Sequence, residues 1–98
     1  MKYEFIENMT LREAVAECVK RKQIPLNYEQ VWKLRKEGSI PSEWCGTSTL
    51  FIEGKSKTAT LEDFKNIEKI YSEGGRLLFA INDIGFYGSN NLYNIARF

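Results

Sequence analysis

The sequence predicts an α+β fold. Two N-terminal helices, a wing-like strand, a third helix and a C-terminal antiparallel hairpin or meander share one domain spanning residues 1–98. Three observations lead there. Thr10, Asn27 and Thr60 each stand just before a stretch whose apolar residues recur at helical spacing. Short apolar runs with alternating sidedness occur at residues 47–52 and 76–81. Clusters of Gly, Asn and Ser punctuate the remainder, as turns require.

Residues 3–6 (Tyr-Glu-Phe-Ile) are rich in aromatic and apolar side chains and fit a short edge strand. Thr10 and Glu13 then form a capping box, the Thr hydroxyl accepting from the third helical N–H while the carboxylate reaches back to the cap amide. Leu11, Ala14, Val15, Cys18 and Val19 make a one-sided stripe, and Lys20, Arg21 and Lys22 close the helix where its dipole favours positive charge. Pro25 breaks the pattern, because the residue before a proline avoids helical angles. Asn27 and Gln30 repeat the capping logic, with Leu26 and Val31 placed as a hydrophobic staple. Tyr28, Val31 and Leu34 point inward, and Gly38 ends the second helix.

Residues 39–42 read as extended, and residues 47–52 as a strand with Leu50 and Ile52 on one side and Phe51 on the other. Residues 54–57 read as a polar tip. Thr60 and Asp63 open a third helix carrying Leu61, Phe64, Ile67, Ile70 and Tyr71, stopped by Gly74-Gly75. Leu77, Phe79 and Ile81 share one face of the next strand. Residues 82–85 and 88–91 are turn material, and residues 93–98 fit either a last strand or a short helix. The domain thus divides into a two-helix-and-strand unit, residues 10–54, and a helix with a small sheet, residues 58–98.

Composition narrows the function classes. With 43% hydrophobic and 28% charged residues the chain is ordinary globular material. The net charge of +1 does not suit a protein that holds polyanions by bulk charge. The charge is uneven, however: residues 11–40 carry seven basic against four acidic side chains, a balance of +3, whereas residues 58–98 come to −1. The sequence contains no His, the commonest general base and metal ligand, and no Gly-rich phosphate loop. It is therefore expected not to be an enzyme and to bind no metal or cofactor. Cys18 and Cys45 belong to no motif and fit free thiols in a reduced, cytoplasmic setting. No apolar run approaches the roughly 20 residues of a membrane helix. The Lys-, Asn- and Ile-leaning composition fits an AT-rich bacterial or phage source.

Residues 10–54 resemble the small winged helix-turn-helix domains of the excisionase and MerR-like class. The likeness rests on a first helix beginning TLREAV, a second ending VWKLRKEGSIP, and the β segment GTSTLFIEG. Leu34, Gly38, Ile40 and Pro41 stand where that class has its leucine, glycine and isoleucine-proline before the wing. The resemblance implies a non-catalytic protein that binds double-stranded DNA, as a transcriptional regulator or an excisionase-like accessory factor. The second helix would enter the major groove with Gln30, Lys33 and Lys36 toward base edges. Lys55 and Lys57 on the wing, and Lys20, Arg21 and Lys22, would meet phosphates. Arg35 leans to the core side, as a phosphate or structural contact.

A second reading competes. Glu29–Lys33 and Lys33–Glu37 are i,i+4 pairs able to neutralise the face meant for DNA. Trp32 and Trp44 are either core packing or interface anchors. Phe79, Phe86, Tyr87, Tyr93 and Phe98 give the C-terminal third an aromatic character, suited to sheet packing or to recruiting a partner by strand addition. These features point to a phage or mobile-element protein that binds and inhibits a host protein, in anti-defence or adaptor fashion. The oligomeric state is open on either reading.

Overall fold

The structure is a computed structural model that describes residues 6, 8–40, 42–81 and 85–97. In chain order its elements are β1 (Met9–Thr10), α1 (Leu11–Arg21), α2 (Tyr28–Lys36), β2 (Cys45–Ile52), β3 (Lys55–Thr58), α3 (Leu61–Lys65), α4 (Ile67–Ser72), β4 (Arg76–Ala80), β5 (Phe86–Ser89) and β6 (Ile95–Ala96). The expected strand over residues 3–6 lies outside the described residues except for Ile6, which packs against the main core. Pro41, the turn residues 82–84 and Phe98 also lie outside them.

Local chemistry sets the helix starts. Thr10, Asn27 and Thr60 each accept the N–H of the residue three on, and Glu13, Gln30 and Asp63 each return the bond. These bonds hold the Glu13 carboxyl below its usual range, the Thr10 backbone N–H contributing most. The C-terminal tail completes the start of α1. The Leu11 N–H donates to the Asn94 carbonyl at 2.8 Å and the Arg12 N–H to the Leu92 carbonyl at 2.9 Å, so two donors left over by helix geometry find partners. β6 pairs antiparallel with β1, Met9 opposite Ala96, which settles the tail as a strand there.

The third helix is broken. Its apolar spacing runs on through Asn66, but Asn66 sits at φ −108°, ψ 21°, and divides α3 from α4. Its side-chain amide donates to the Glu62 carbonyl at 3.0 Å, the local competition with backbone bonding that makes Asn a poor helix-interior residue.

Four antiparallel strands form the main sheet, in the order β3-β2-β4-β5. The turn between β2 and β3 is tighter than the sequence suggested. Glu53 and Gly54 alone make it, at φ 52° and 78°, and Lys55 already pairs with Ile52. Positive φ at both central residues is the type I′ pattern that favours Asn-Gly. Glu53→Asn is therefore expected to raise stability by about 0.5–1 kcal/mol, read as a higher urea midpoint. A lower midpoint would contradict this turn.

The register of β2 against β4 shifts between Gly46 and Leu50. Thr47 and Ser48, both fully buried, fill this irregularity, and the Thr47 hydroxyl donates to the Leu78 carbonyl at 2.6 Å. At the same place the Ser48 N–H donates to the Leu26 carbonyl at 3.0 Å, which draws the chain between α1 and α2 across the edge of β2. The two N-terminal helices consequently lie on opposite faces of the sheet. On one face Leu11, Ala14, Val15 and Cys18 of α1 join Phe64, Ile67, Leu50, Leu77 and Phe79. On the other, Val31 of α2 packs with Ile40, Cys45 and Ala80, flanked by Leu26, Tyr28 and Leu34. The apolar stripes of α1 and α2 close on β2 and β4 instead of on each other. Among the described residues no helix is long and apolar enough to cross a membrane.

Candidate binding surface

The outer face of α2 is polar. Lys33 and Lys36 are exposed, and neither forms an ion pair among the described residues, with Glu29 and Glu37 or with anything else. Gln30 is exposed too, but its side-chain oxygen is occupied by the Asn27 N–H at 2.9 Å. Arg35 turns toward the protein and donates to the Ile81 carbonyl at 3.3 Å, a structural contact. Arg21 pairs with Glu17 at 2.9 Å.

Lys55 and Lys57 sit on an edge strand and not at a loop tip. They lie opposite Ile52 and Leu50, and cross-strand partners share a face. Their side chains therefore leave the sheet on the α1 and α3 side, where Lys57 Nζ meets Asp63 Oδ2 at 3.0 Å. Burial pushes the Asp63 carboxyl upward, but bonds from the Thr60 N–H and from Lys57 outweigh it and hold the group below its usual range. Lys33 and Lys36 belong to the helix on the opposite face. The sheet thus divides the basic residues into two separate pairs.

Apolar side chains gather where the basic ones do not. Beside the first turn of α2, the sheet face left uncovered forms an open groove of about 480 Å³ with Tyr28, Phe51, Leu78 and Phe86 in its wall. Phe86 is 58% exposed, and its ring meets the Tyr28 ring edge-on at 5.3 Å. Asn27, Thr49, Ser56 and Thr58 supply polar atoms around the groove and Glu29 stands beside it, whereas the Lys57 charge lies on the opposite face with Asp63. The Tyr28 N–H is already satisfied by Thr49 Oγ1 at 2.8 Å.

The other face of β5 carries a second aromatic group. Trp44, 53% exposed, lies 6.3 Å from Tyr87, which meets the buried Phe79 at 6.5 Å. Trp32 is half-buried on the flank of α2. Of the two tryptophans, only Trp44 thus stands clear of the protein. Phe86 is among the C-terminal aromatics that the sequence marks as suited to sheet packing or to a partner, in a stretch, residues 84–96, with no charged side chain, whereas nothing in the sequence singles out Phe51.

Cys18 and Cys45 are free and buried, and burial pushes both thiols up to about 11, far from the thiolate a nucleophile needs. Among the described residues no three His, Cys, Asp or Glu side chains come together as a metal site would require. Compared with family models, curated proteins and solved structures, the chain matches none.

Proposed function

We propose that this chain is a non-catalytic binding domain that docks on another protein, taking an extended segment bearing aromatic or aliphatic side chains into the groove beside α2. The observation that carries this reading is the groove itself, in which Phe51 and Phe86 remain exposed beside Tyr28 and Leu78. An apolar centre rimmed by hydroxyl and amide groups is the make-up of a protein interface, where aromatic anchors carry most of the binding energy. An inhibitor or adaptor would need no more than such a surface. The absence of His from the sequence accords with a non-catalytic role.

A second reading, binding of double-stranded DNA through α2, is favoured by Lys33 and Lys36 being exposed without ion pairs among the described residues. Against it, Lys55 and Lys57 project from the other side of the sheet.

One set of amide spectra separates the two. The protein is titrated with peptides selected from a random-peptide display library, and separately with a random-sequence DNA duplex at about 50 and 200 mM salt. The protein-docking reading expects peptide shifts centred on Thr49, Phe51, Leu78 and Phe86. It also expects Phe51→Ser to weaken the peptide at least about tenfold while the fold is retained. Salt-sensitive duplex shifts at Lys33 and Lys36, with no peptide shifts in the groove, would overturn it in favour of DNA.

A further inference from the structure

The two edges of the main sheet differ in kind. β3 carries Lys55 and Lys57, the sort of charged edge that discourages pairing with another chain. β5, Phe86-Tyr87-Gly88-Ser89, carries no charge, and both of its aromatic residues are exposed.

The hydrogen-bond pattern shows which of its backbone groups are unused. The Ile81 N–H donates to the Gly85 carbonyl at 3.1 Å, so Ile81 and Gly85 form a closely bonded pair. Such pairs alternate along an antiparallel ladder. Phe79–Tyr87 and Leu77–Ser89 are therefore the next bonded pairs, and Phe86 and Gly88, opposite Ala80 and Leu78, direct N–H and C=O outward. No further backbone partner meets them among the described residues.

We propose that β5 pairs antiparallel with β5 of a second copy of this chain, joining two sheets about a two-fold axis at Tyr87. These residues are self-complementary, which selects a second copy as the partner. Setting Phe86 opposite Gly88 of the second copy lets all four outward-facing residues bond, with β5 alone supplying the edge. Centring the axis on Phe86 or on Gly88 would leave part of each ladder to residues beyond the strand. In the chosen register the Phe86 ring lies over a glycine, beside the Arg76 and Leu78 side chains of the second copy. An aromatic side chain covering a cross-strand glycine stabilises a sheet. On the other face the two Tyr87 rings become close cross-strand neighbours, flanked by Trp44 of each copy. β5 itself brings no charged side chain into this interface.

This inference goes beyond the groove reading and rests on the backbone edge, so the two are tested apart. Sedimentation velocity across a concentration series is expected to show a reversible species at twice the 11.4 kDa chain mass. Gly88→Lys is the primary variant. A Cβ at this position meets the Arg76 and Leu78 side chains at 3.4 and 3.6 Å, ordinary contact distances, so the fold accepts it. The new side chain would occupy the space assigned to Phe86 of the second copy, and the dimer dissociation constant is expected to rise at least about tenfold. Phe51→Ser, which alters the groove but not the edge, should leave dimerisation unchanged.

Hydrogen exchange provides a test without substitution. The Phe86 and Gly88 amides should gain protection as protein concentration rises, while the Tyr87 and Ser89 amides, already bonded within the chain, should not. A wild-type chain that remains monomeric up to about 1 mM, or a dimer unaffected by Gly88→Lys with no concentration-dependent protection of these two amides, would overturn the proposal.

Discussion

Phe64→Ala is expected to cost about 3–5 kcal/mol, a large part of the stability of a domain this size. Phe64 is 2% exposed and is among the largest fully enclosed side chains of the described residues. It projects from α3, a helix of only five residues, into the cluster containing Leu11, Leu50 and Leu77. Helix propensity cannot sustain so short a segment, so its stability comes from that packing. Removing the ring leaves a cavity between α3 and the sheet and loosens the contact between α1 and α3. Urea unfolding followed by far-ultraviolet circular dichroism gives the measurement. Phe86→Ala, a truncation of the same residue type at an exposed site, is expected to stay within about 0.5 kcal/mol of wild type. Equal losses in the two variants would contradict the placement of the core.

Alkaline pH above about 9 should destabilise the protein. Burial pushes the Cys18 and Cys45 thiols from 9.0 up to about 11, with nearby arginines only partly offsetting it. Tyr71 is pushed, again by burial, up to about 12. A raised acid pKa means that the folded chain keeps protons the unfolded chain has released. Stability is therefore complete below about pH 9 and falls as pH rises through about 11. Each thiol contributes roughly 2–3 kcal/mol to the loss. The urea midpoint is expected to hold steady from pH 7 to about 8.5 and then to drop steeply. Cys45→Ala should make the drop shallower, whatever it does to the midpoint at neutral pH. A midpoint insensitive to pH between about 8.5 and 10.5 would contradict the burial of both thiols.

What could be read in the sequence was local. Thr10–Glu13, Asn27–Gln30 and Thr60–Asp63 form their bonds within one turn of helix, so spacing alone revealed them. The stripes Leu11, Ala14, Val15, Cys18, Val19 and Tyr28, Val31, Leu34 were legible for the same reason. The break at Asn66 was not, because the apolar spacing of Phe64, Ile67 and Ile70 continues across it while the side-chain bond to Glu62 interrupts the backbone. β5 was hidden because a four-residue strand beginning just after Gly85 and including Gly88 has the composition of a turn.

The relation between the first two helices depends on contacts distant in sequence. The Ser48–Leu26 hydrogen bond and the shifted register at Thr47 and Ser48 place α1 and α2 on opposite faces, and no spacing rule within residues 10–36 carries that information. The candidate site was correspondingly half legible. Exposure of Lys33 and Lys36 follows from helical spacing. The meeting of Tyr28, Phe51 and Phe86 in one groove required three separate elements to come together.

The account turns on the sheet lying between α1 and α2, because that arrangement separates the basic pairs and leaves the aromatic groove open. Methyl–methyl nuclear Overhauser contacts test it most directly. The structure predicts contacts from Val31 to Ala80 and from Val15 into the cluster of Leu50 and Leu77, with none between Val15 and Val31. Strong Val15–Val31 contacts would mean that the two helices pack on each other, and would contradict both this fold and the binding surface built on it.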